Sequence, residues 1–301
     1  MRTDKNNGYF LIFAGGVLWG FIGLFVKQMG AGGADPITIS FLRVLFAAVI
    51  MLPICICRGG LRSLSVDSKT LLICVLLGVI CHGIYNIFYS YAVTIAGVSI
   101  SAVLLNIAPV FTLLFSVLFF SEKITAWKVI AIVINILGCI LAATGGRFHT
   151  AAFSLIGILF GLGAGLCYAM TAILGRFASD RTDPFVMSLY SYAAAALLLL
   201  FWSLFKNGSA IRFTSGSSRI LLWGFLFALI PTAIAYILYY AGIQKVRESS
   251  KVPVIASVET VVAAVIGILV YKEKLNFFSL LGVALVLISI VLMNRRQRTQ
   301  M

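Results

Sequence analysis

The chain has 301 residues, of which 61% are hydrophobic and only 11% are charged, and its formal net charge at pH 7 is +14. Apolar residues in this proportion, arranged in long runs, exclude a soluble globular protein and indicate a membrane protein. Two histidines, His82 and His149, are too few for a zinc centre, and the sequence holds no glycine-rich nucleotide-binding lysine loop. We therefore expect no metal, no cofactor, no enzymatic activity and no ATP-driven step.

Ten apolar runs follow one another along the chain, each close to the roughly 20 residues that cross a hydrocarbon core of about 30 Å. The sequence therefore predicts an all-α membrane protein with ten transmembrane helices and no separate soluble domain. Within the runs, glycines spaced by four residues, such as Gly16 and Gly20 or Gly157 and Gly161, predict close helix crossings. The runs cover approximately residues 9–29, 36–57, 70–92, 98–120, 127–144, 154–174, 184–205, 219–241, 251–271 and 276–293.

The basic residues are distributed unevenly between the two sides that this topology defines. With a cytoplasmic N-terminus, the inside loops hold 15 of the 23 lysines and arginines, the outside loops hold 7, and Arg43 lies within a run. This excess predicts that both termini are cytoplasmic. The net charge then reflects orientation in the cytoplasmic membrane of a bacterium, and a nucleic-acid partner is not expected. Membrane lipids and a small-molecule substrate are the expected partners, and the chain is expected to be a monomer or a homodimer.

The two halves of the chain repeat one another. Asp35-Pro36 recurs as Asp183-Pro184, an offset of 148, and after a loop the offset becomes 151. We therefore predict two homologous halves, residues 1–148 and 149–301, with five helices each. Because five is odd, the second half enters the membrane from the opposite side, and inverted halves of this kind recur in secondary transporters. The pairs at the second offset include Tyr85 with Tyr236, Tyr89 with Tyr240, Ser99 with Ser250, Glu122 with Glu273 and Lys123 with Lys274.

Four stretches carry a resemblance to a known family. The first helix reads GGVLWGFIGLFVK, and the second reads ITISFLRVLFAA with Arg43 inside it. The fourth ends NIAPVFTLLFSVLFFSEKIT and the ninth reads ASVETVVAAVIGILVYKEKLN, so that both close on a Glu-Lys pair. In their order and duplication these stretches resemble the ten-helix EamA-type branch of the drug/metabolite transporter superfamily, over nearly the whole chain.

The resemblance implies a proton- or gradient-linked carrier of small metabolites, often an exporter, with a central cavity made by both halves. Members of this branch usually carry Glu-Pro in the ninth helix, where this chain has Glu259-Thr260. A proline kink is therefore not expected at that position, and Pro253 is the alternative source of one. The related four-helix exporters use a buried acid in their first helix, which this chain lacks, so their exchange mechanism is not carried over.

Glu259 is an acidic residue near the middle of an apolar run, about eight residues or ~12 Å from its start. Ala256, Thr260, Ala263 and Gly267 form a stripe of small residues beside it, which predicts that it faces other helices and not lipid. A carboxylate at such a depth costs about 2.5–3.5 kcal/mol on insertion scales, so it must be protonated, paired or hydrated. Two interpretations stay open: a site for a proton or a cationic substrate, and a structural carboxyl bonded to a neighbouring helix.

Arg43 is the other charged residue within a run, about seven residues or ~10 Å from the outer end of the second helix. Its long side chain allows it to reach back toward the membrane interface. The alternative interpretation is an ion pair between Arg43 and Glu259.

Aromatic and amide side chains recur at helical spacing in the third and eighth helices. Since the repeat makes these helices equivalent, their side chains predict a cavity for a small organic substrate that is lined from two sides. An aromatic belt at the membrane interface is the alternative. Trp19, Tyr168 and Asn106 are weaker candidates for the same lining. The residues are His82, Tyr85, Asn86 and Tyr89 in the third helix and Tyr236, Tyr239 and Tyr240 in the eighth.

The sequence as a whole predicts a secondary transporter that exports amino-acid-like metabolites which are neutral, zwitterionic or cationic. Uptake of the same compounds is the second hypothesis, because no residue determines the direction of flux. A passive channel is the alternative from another class, and saturable counter-transport distinguishes a carrier from it.

Overall fold

The computed structural model of the chain describes residues 2–146, 154–207, 217–246, 248–272 and 276–294, without the side chains of residues 2–6, 98, 99, 207 and 217. These residues include ten helices that are long and apolar enough to cross a membrane, which confirms the predicted number. Called the first to the tenth helix below, they are Asn7–Ala31, Pro36–Gly59, Ser68–Ala96, Ile100–Phe120, Ala126–Thr144, Leu155–Ser179, Pro184–Lys206, Ser218–Lys245, Ser249–Tyr271 and Phe277–Asn294.

Five of these helices are not continuous α-helix. Interruptions release backbone groups and redirect side chains, and in membrane proteins they are tolerated where protein or a water-filled space covers them. The first helix consists of Arg2–Trp19 and Ile22–Ala31, the fourth of Val98–Leu105 and Ala108–Phe120, and the ninth of Ser249–Lys251, Val252–Ala256 and Val258–Tyr271. The third and eighth helices contain the π-helical segments Leu77–Ile84 and Leu229–Ile234.

The breaks in the fourth and ninth helices have local causes. Pro109 stands in the first turn after the fourth-helix break, where its missing N–H costs nothing, and Asn106 donates from Nδ2 to the Ala102 carbonyl at 2.8 Å. The ninth helix breaks at Ser257, whose hydroxyl donates to the Val254 carbonyl at 2.6 Å. Pro253 is the second residue of the short piece Val252–Ala256 before this break. The ninth helix is therefore interrupted without a proline at position 260.

Several local features recur at the offset of the sequence repeat. The two breaks, at Asn106 and Ser257, lie 151 residues apart, and so do the left-handed residues Ser121 (φ 51°) and Lys272 (φ 55°) that end the two helices. The two π segments also fall at overlapping positions of the third and eighth helices. The predicted partners Glu273 and Lys274, the Ser99 side chain, His149 and residues 295–301 lie outside the described part of the chain.

The first helix begins and the tenth helix ends at the same face of the bundle. Tyr9 and Asn294 line one surface groove there, and Lys251 Nζ lies 5.8 Å from the centre of the Tyr9 ring. We call this the terminal face. The sixth helix ends at it, because Arg176 contacts the start of the ninth helix near Lys251. Corresponding helices of the two halves thus run in opposite directions here, while inversion of the whole halves stays a prediction.

Small residues bring helices into close contact at the predicted positions. A Cβ atom built on Gly16 would lie 2.6 Å from the Ala256 carbonyl oxygen, so the first helix packs directly on the backbone of the ninth. A Cβ on Gly161 would lie 2.4 Å from Leu104 Cδ1, which joins the sixth helix to the fourth. The helix crossings predicted from the glycine spacing are confirmed at these two sites.

Candidate functional site

Glu259 lies in the first turn of the helix piece that follows the break at Ser257. Its Oε1 accepts a hydrogen bond from the Tyr168 hydroxyl on the sixth helix at 3.3 Å, and the side chain is partly exposed. The carboxyl therefore faces another helix, as predicted. Along the small-residue stripe, Ala256 and Gly267 are buried, whereas Ala263, one turn after Glu259, is exposed.

Aromatic rings from three helices surround the Glu259 carboxyl. The ring centres of Tyr168 and Tyr85 lie 6.0 Å apart, and Tyr85 stacks on Tyr89 at 6.0 Å with an interplanar angle of 12°. Trp19 from the first helix lies 6.4 Å from Tyr168. The structure thus brings together four of the predicted residues from the first, third and sixth helices around the acid.

The aromatic cluster continues to the eighth helix. Tyr236 lies 4.8 Å from Trp19 and 4.7 Å from His82, measured between ring centres. Tyr239, which sequence analysis placed in the same group, lies 4.8 Å from Trp19. His82 also lies 5.3 Å from Tyr192 of the seventh helix, a residue that the sequence did not single out.

Exposure differs between the two ends of the site. Partly exposed side chains lie at one end, namely Glu259, Tyr168, Tyr85 and Tyr89. Toward the terminal face, the ninth-helix segment 252–258 is buried at every position. The site is therefore closed on that side.

Residues in or next to the two π segments hydrogen-bond the second helix and so fix its position beside the site. Asn86 follows the first segment, and its side chain donates to the His82 carbonyl and accepts from Ser40 Oγ of the second helix at 3.0 Å. In the second segment, Thr232 Oγ1 accepts from Arg43 Nε at 2.8 Å. A π-turn is rare and often occurs at functional sites, because it places side chains that regular helix geometry would turn away.

Arg43 does not pair with Glu259. Its side chain is buried, bonds to Thr232, and has its guanidinium carbon 5.0 Å from the centre of the Phe227 ring. Within the described residues no carboxylate makes a salt bridge to it. The predicted pair is therefore wrong for this conformation, because Thr232 of the eighth helix holds the guanidinium instead.

Three predicted lining residues have other roles in this structure. Tyr240 is fully buried, with its ring 3.0 Å from a Cβ position at Gly175. The Asn86 amide is occupied by Ser40 and His82, and the Asn106 amide donates to the helix carbonyl at its own break. These contacts stabilise the bundle and leave the aromatic residues and Glu259 as the core of the site.

A second polar cluster lies at the terminal face, and it was missed by sequence analysis. Glu122, in the loop after the fourth helix, accepts from the Ser249 backbone N–H at 2.6 Å and from the Ser250 hydroxyl at 2.6 Å. Arg176 Nη1 lies 3.1 Å from one of its carboxylate oxygens, and Lys128 Nζ lies 3.5 Å from the other. We call these five residues the inner cluster. The sequence showed Glu122 only as half of a repeated Glu-Lys pair.

Glu248 extends the inner cluster toward solvent. Its carboxylate lies 3.0 Å from Lys128 Nζ and 3.3 Å from Lys251 Nζ. Burial raises the pKa of Glu248, but the charges and hydrogen bonds of Lys251 and Lys128 outweigh burial and hold the pKa below its ordinary value. The carboxylate is thus stabilised in its charged form.

The described residues contain no group of three His, Cys, Asp or Glu side chains placed to hold a metal ion. The groups that the site presents are one carboxyl, one guanidinium, one imidazole, hydroxyls and aromatic faces. Such groups bind a small molecule or a proton reversibly.

Interrupted helices that meet inside a ten-helix bundle around a polar site define the class of membrane transporters. The comparisons with known proteins agree. The chain belongs to the EamA-like transporter family, which matches residues 6–144 and again residues 155–295. It is a multi-pass membrane transporter and not an enzyme.

Relatives of similar length share about a quarter of the sequence. A protein of Archaeoglobus fulgidus described as an uncharacterized transporter is 27% identical over 279 residues, covering 92% of each chain. The uncharacterized transporter YwfM of Bacillus subtilis is 26% identical, covering 98% of this chain and 97% of its own. A crystal structure of a protein with 17% identity superposes with a TM-score of 0.81 and covers 96% of each chain, which shows the shared fold.

Proposed function

We propose that this protein is a secondary active transporter that exports small organic metabolites across the cytoplasmic membrane by alternating access. The observation that carries the proposal is the partly exposed Glu259 carboxyl beside a helix break, hydrogen-bonded to Tyr168 and surrounded by aromatic rings. The substrates that suit this lining are amino-acid-like compounds, neutral, zwitterionic or cationic. Aromatic faces supply apolar contact and attract cations, and hydroxyl groups supply orientation.

Glu259 is the proposed coupling group. An intramembrane carboxyl costs about 2.5–3.5 kcal/mol on insertion scales, and such residues mark ion and substrate pathways. The Tyr168 hydroxyl donates to the carboxyl, and a proton or a substrate ammonium competes for the same oxygens. This competition links substrate movement to a proton gradient.

Alternating access needs a closed end that is able to open. The inner cluster joins the loop after the fourth helix to the sixth and ninth helices through the five contacts of Glu122 and its neighbours. Together with the buried segment 252–258 it separates Glu259 from the terminal face. We propose that this conformation is one of two, open toward the opposite face, and that the inner cluster parts in the other.

The proposal includes the orientation and organisation of the chain. The terminal face is proposed to be cytoplasmic, in the membrane of a bacterium, and the halves 1–148 and 149–301 to act as inverted units. The excess of basic residues on the side of the termini supports this orientation. Reaction of single introduced cysteines with a membrane-impermeant reagent in intact cells tests it: labelling of the N-terminal end from outside contradicts the proposal.

Counter-transport into proteoliposomes tests the function. Proteoliposomes that contain the wild-type protein are preloaded with unlabelled amino-acid-like compounds. They are expected to exchange these for labelled compounds at a rate that saturates with concentration, and this rate is expected to respond to an imposed pH gradient. Glu259→Gln is expected to lose the response to the gradient, whereas Glu248→Gln, an acid of the terminal face, keeps it. Unchanged rate and pH profile in Glu259→Gln overturns the coupling role. Fast flux without exchange indicates a channel, and exchange driven only inward indicates uptake.

A further inference from the structure

Arg43 is a buried cation that makes no salt bridge to a carboxylate among the described residues. Its side chain lies within the second helix at 7% exposure, and Nε donates to Thr232 Oγ1 at 2.8 Å. Thr232 is itself fixed, because its hydroxyl donates to the Phe227 carbonyl at 2.9 Å and its own carbonyl accepts from Tyr192. A guanidinium has five N–H donors in a planar fork, and the hydrogen bonds to Thr232 and to the Tyr236 side chain orient this fork while using only part of it.

Two buried ring nitrogens, on side chains that pack on Tyr236, lack hydrogen-bond partners in the described part of the chain. They are the indole nitrogen of Trp19 and Nε2 of His82, on side chains that are 3% and 2% exposed. Both rings pack on Tyr236, with ring centres at 4.8 Å and 4.7 Å, and the Arg43 side chain hydrogen-bonds the Tyr236 hydroxyl. Buried polar groups are nearly always hydrogen-bonded, so two unpartnered nitrogens on rings that pack against the Tyr236 partner of Arg43 need an explanation.

We propose that Arg43, positioned by Thr232, forms a subsite for a carboxylate of the transported compound. The proposal rests on the proposed function and narrows its range of substrates. Neutral, zwitterionic and cationic compounds all suit the lining, and the subsite selects the zwitterionic ones. The carboxylate binds the free side of the Arg43 fork, and Trp19 or His82 supplies a further donor. The ammonium group of the same compound lies at Glu259, which interacts electrostatically with Arg43 without being in salt-bridge contact.

The arrangement distinguishes this role from a purely structural one. A structural arginine buried in a membrane bundle is normally neutralised by a carboxylate or by carbonyl oxygens, since removing its charge from water is costly. Here the acid of the site, Glu259 on the ninth helix, is hydrogen-bonded by Tyr168 of the sixth helix and not by Arg43. Separated opposite charges with an aromatic surface between them match a zwitterion with an apolar side chain better than a compound with one charge.

Two acid and amide pairs test the subsite: phenylalanine with phenylalaninamide, and leucine with leucinamide. Each amide keeps the side chain and lacks the carboxylate, and an assay pH well below the α-amino pKa of about 7.7 keeps its amino group charged as an ammonium. Binding to the purified protein in detergent and counter-transport in proteoliposomes are measured for all four compounds. We expect wild-type protein to prefer each acid by about tenfold or more, the size of one lost charge-assisted bond. In Arg43→Gln this preference disappears, and Arg43→Lys restores part of it.

A second variant keeps the test valid if Arg43→Gln folds poorly. Thr232→Val leaves the guanidinium in place and removes the acceptor of its Nε, so the acid preference is expected to fall to a value between wild type and Arg43→Gln. A structural Arg43 predicts instead lower thermal stability with an unchanged ratio of acid to amide. Equal transport of acid and amide by the wild type overturns the subsite and leaves the proposed function intact. No saturable transport of any of the four compounds counts against the proposed function itself.

Discussion

Ser250 Oγ donates a 2.6 Å hydrogen bond to Glu122 Oε2, across 128 residues of sequence. Ser250 starts the ninth helix and Glu122 follows the fourth, so one carboxylate joins the two halves of the chain at the terminal face. The Glu122 side chain is only 6% exposed and also contacts Arg176 and Lys128. A buried charge with this many partners is costly to separate from them. We therefore expect Glu122 to act as a lock, that is, to hold the terminal face closed.

Glu122→Gln is expected to loosen the terminal face. The amide keeps the shape of the carboxylate but loses the charge that holds Arg176 and Lys128, at a cost of about 1.5–3 kcal/mol for hydrogen bonds to a charged group. Backbone amide exchange in segment 249–258 should therefore speed up by about tenfold or more, as read by hydrogen exchange and mass spectrometry. Glu248→Gln, which leaves Glu122 intact, is the control. Equal exchange in both variants contradicts the role of Glu122 as the lock.

Tyr168→Phe is expected to slow transport by up to about tenfold, because it removes the hydroxyl that bonds Glu259 and leaves the ring in place. The rate of counter-transport in proteoliposomes measures the effect. Tyr91→Phe is the matched control, since Tyr91 stacks on Phe160 at 5.1 Å and makes no described contact with Glu259. A rate unchanged in Tyr168→Phe argues that the hydroxyl is only a packing contact.

Asn135→Ala is expected to destabilise the bundle by about 1–2 kcal/mol, since hydrogen bonds between membrane helices average about 0.6 kcal/mol and reach about 1.7 kcal/mol. Asn135 on the fifth helix donates to Ser257 Oγ at 2.6 Å and to Ser289 Oγ at 2.9 Å, so it supports the break beside Glu259. Ser289→Ala removes one of the two bonds and should cost less. Thermal unfolding in detergent measures both, and a larger loss in Ser289→Ala contradicts the assignment.

Gly16→Ala and Gly23→Ala separate packing from helix propensity in one helix. A Cβ on Gly16 meets the Ala256 carbonyl at 2.6 Å, whereas a Cβ on Gly23 has no neighbour within 4 Å. We expect Gly16→Ala to destabilise the protein by about 1–3 kcal/mol through overpacking. Gly23→Ala should be neutral or slightly stabilising, because alanine is the better helix former. The same thermal unfolding measurement decides, and similar effects of the two changes would refute the close crossing.

The contribution of Glu248 to stability should depend on pH. Because its pKa is lower in the folded protein, the charged carboxylate stabilises the fold fully above the ordinary glutamate pKa of about 4.3. That contribution is lost as the pH falls through the lowered pKa. The difference in melting temperature between wild type and Glu248→Gln should therefore be largest near neutral pH and shrink as the pH falls below about 4. A difference that grows on acidification has the wrong sign and contradicts the ion pairs with Lys128 and Lys251.

Much of the fold was predictable because it depends on local patterns. Apolar runs of bilayer length predict the ten helices, and Asp35 and Asp183 mark the starts of the second and seventh. The Asp35 carboxylate caps its helix by accepting from the Ile37 and Thr38 N–H groups at 3.0 Å and 3.1 Å. The position of Glu259 against another helix was also predictable, since small residues flank it near the break.

The partners of charged residues were not predictable, because they lie far away in sequence. Arg43 bonds to Thr232, 189 residues later, and Glu122 bonds to Ser249 and Ser250 of the other half. No helical spacing reports such contacts. The π segments were missed for a related reason, since their apolar residues also suit a regular helix.

The π segments Leu77–Ile84 and Leu229–Ile234 determine in which direction around the helix axis the following site residues point. A π-turn accommodates an extra residue, so the helix beyond it is turned relative to a regular continuation. Deleting one residue from the regular α-helical stretch Ser68–Leu76, ahead of the first segment, would rotate Tyr85 and Tyr89 by about 100° against the start of the third helix. The rings would then leave Tyr168 although every side chain of the site was still present. In these two helices the number of residues before the site matters as much as their chemical type, and a change of length in mid-membrane is more damaging than most substitutions.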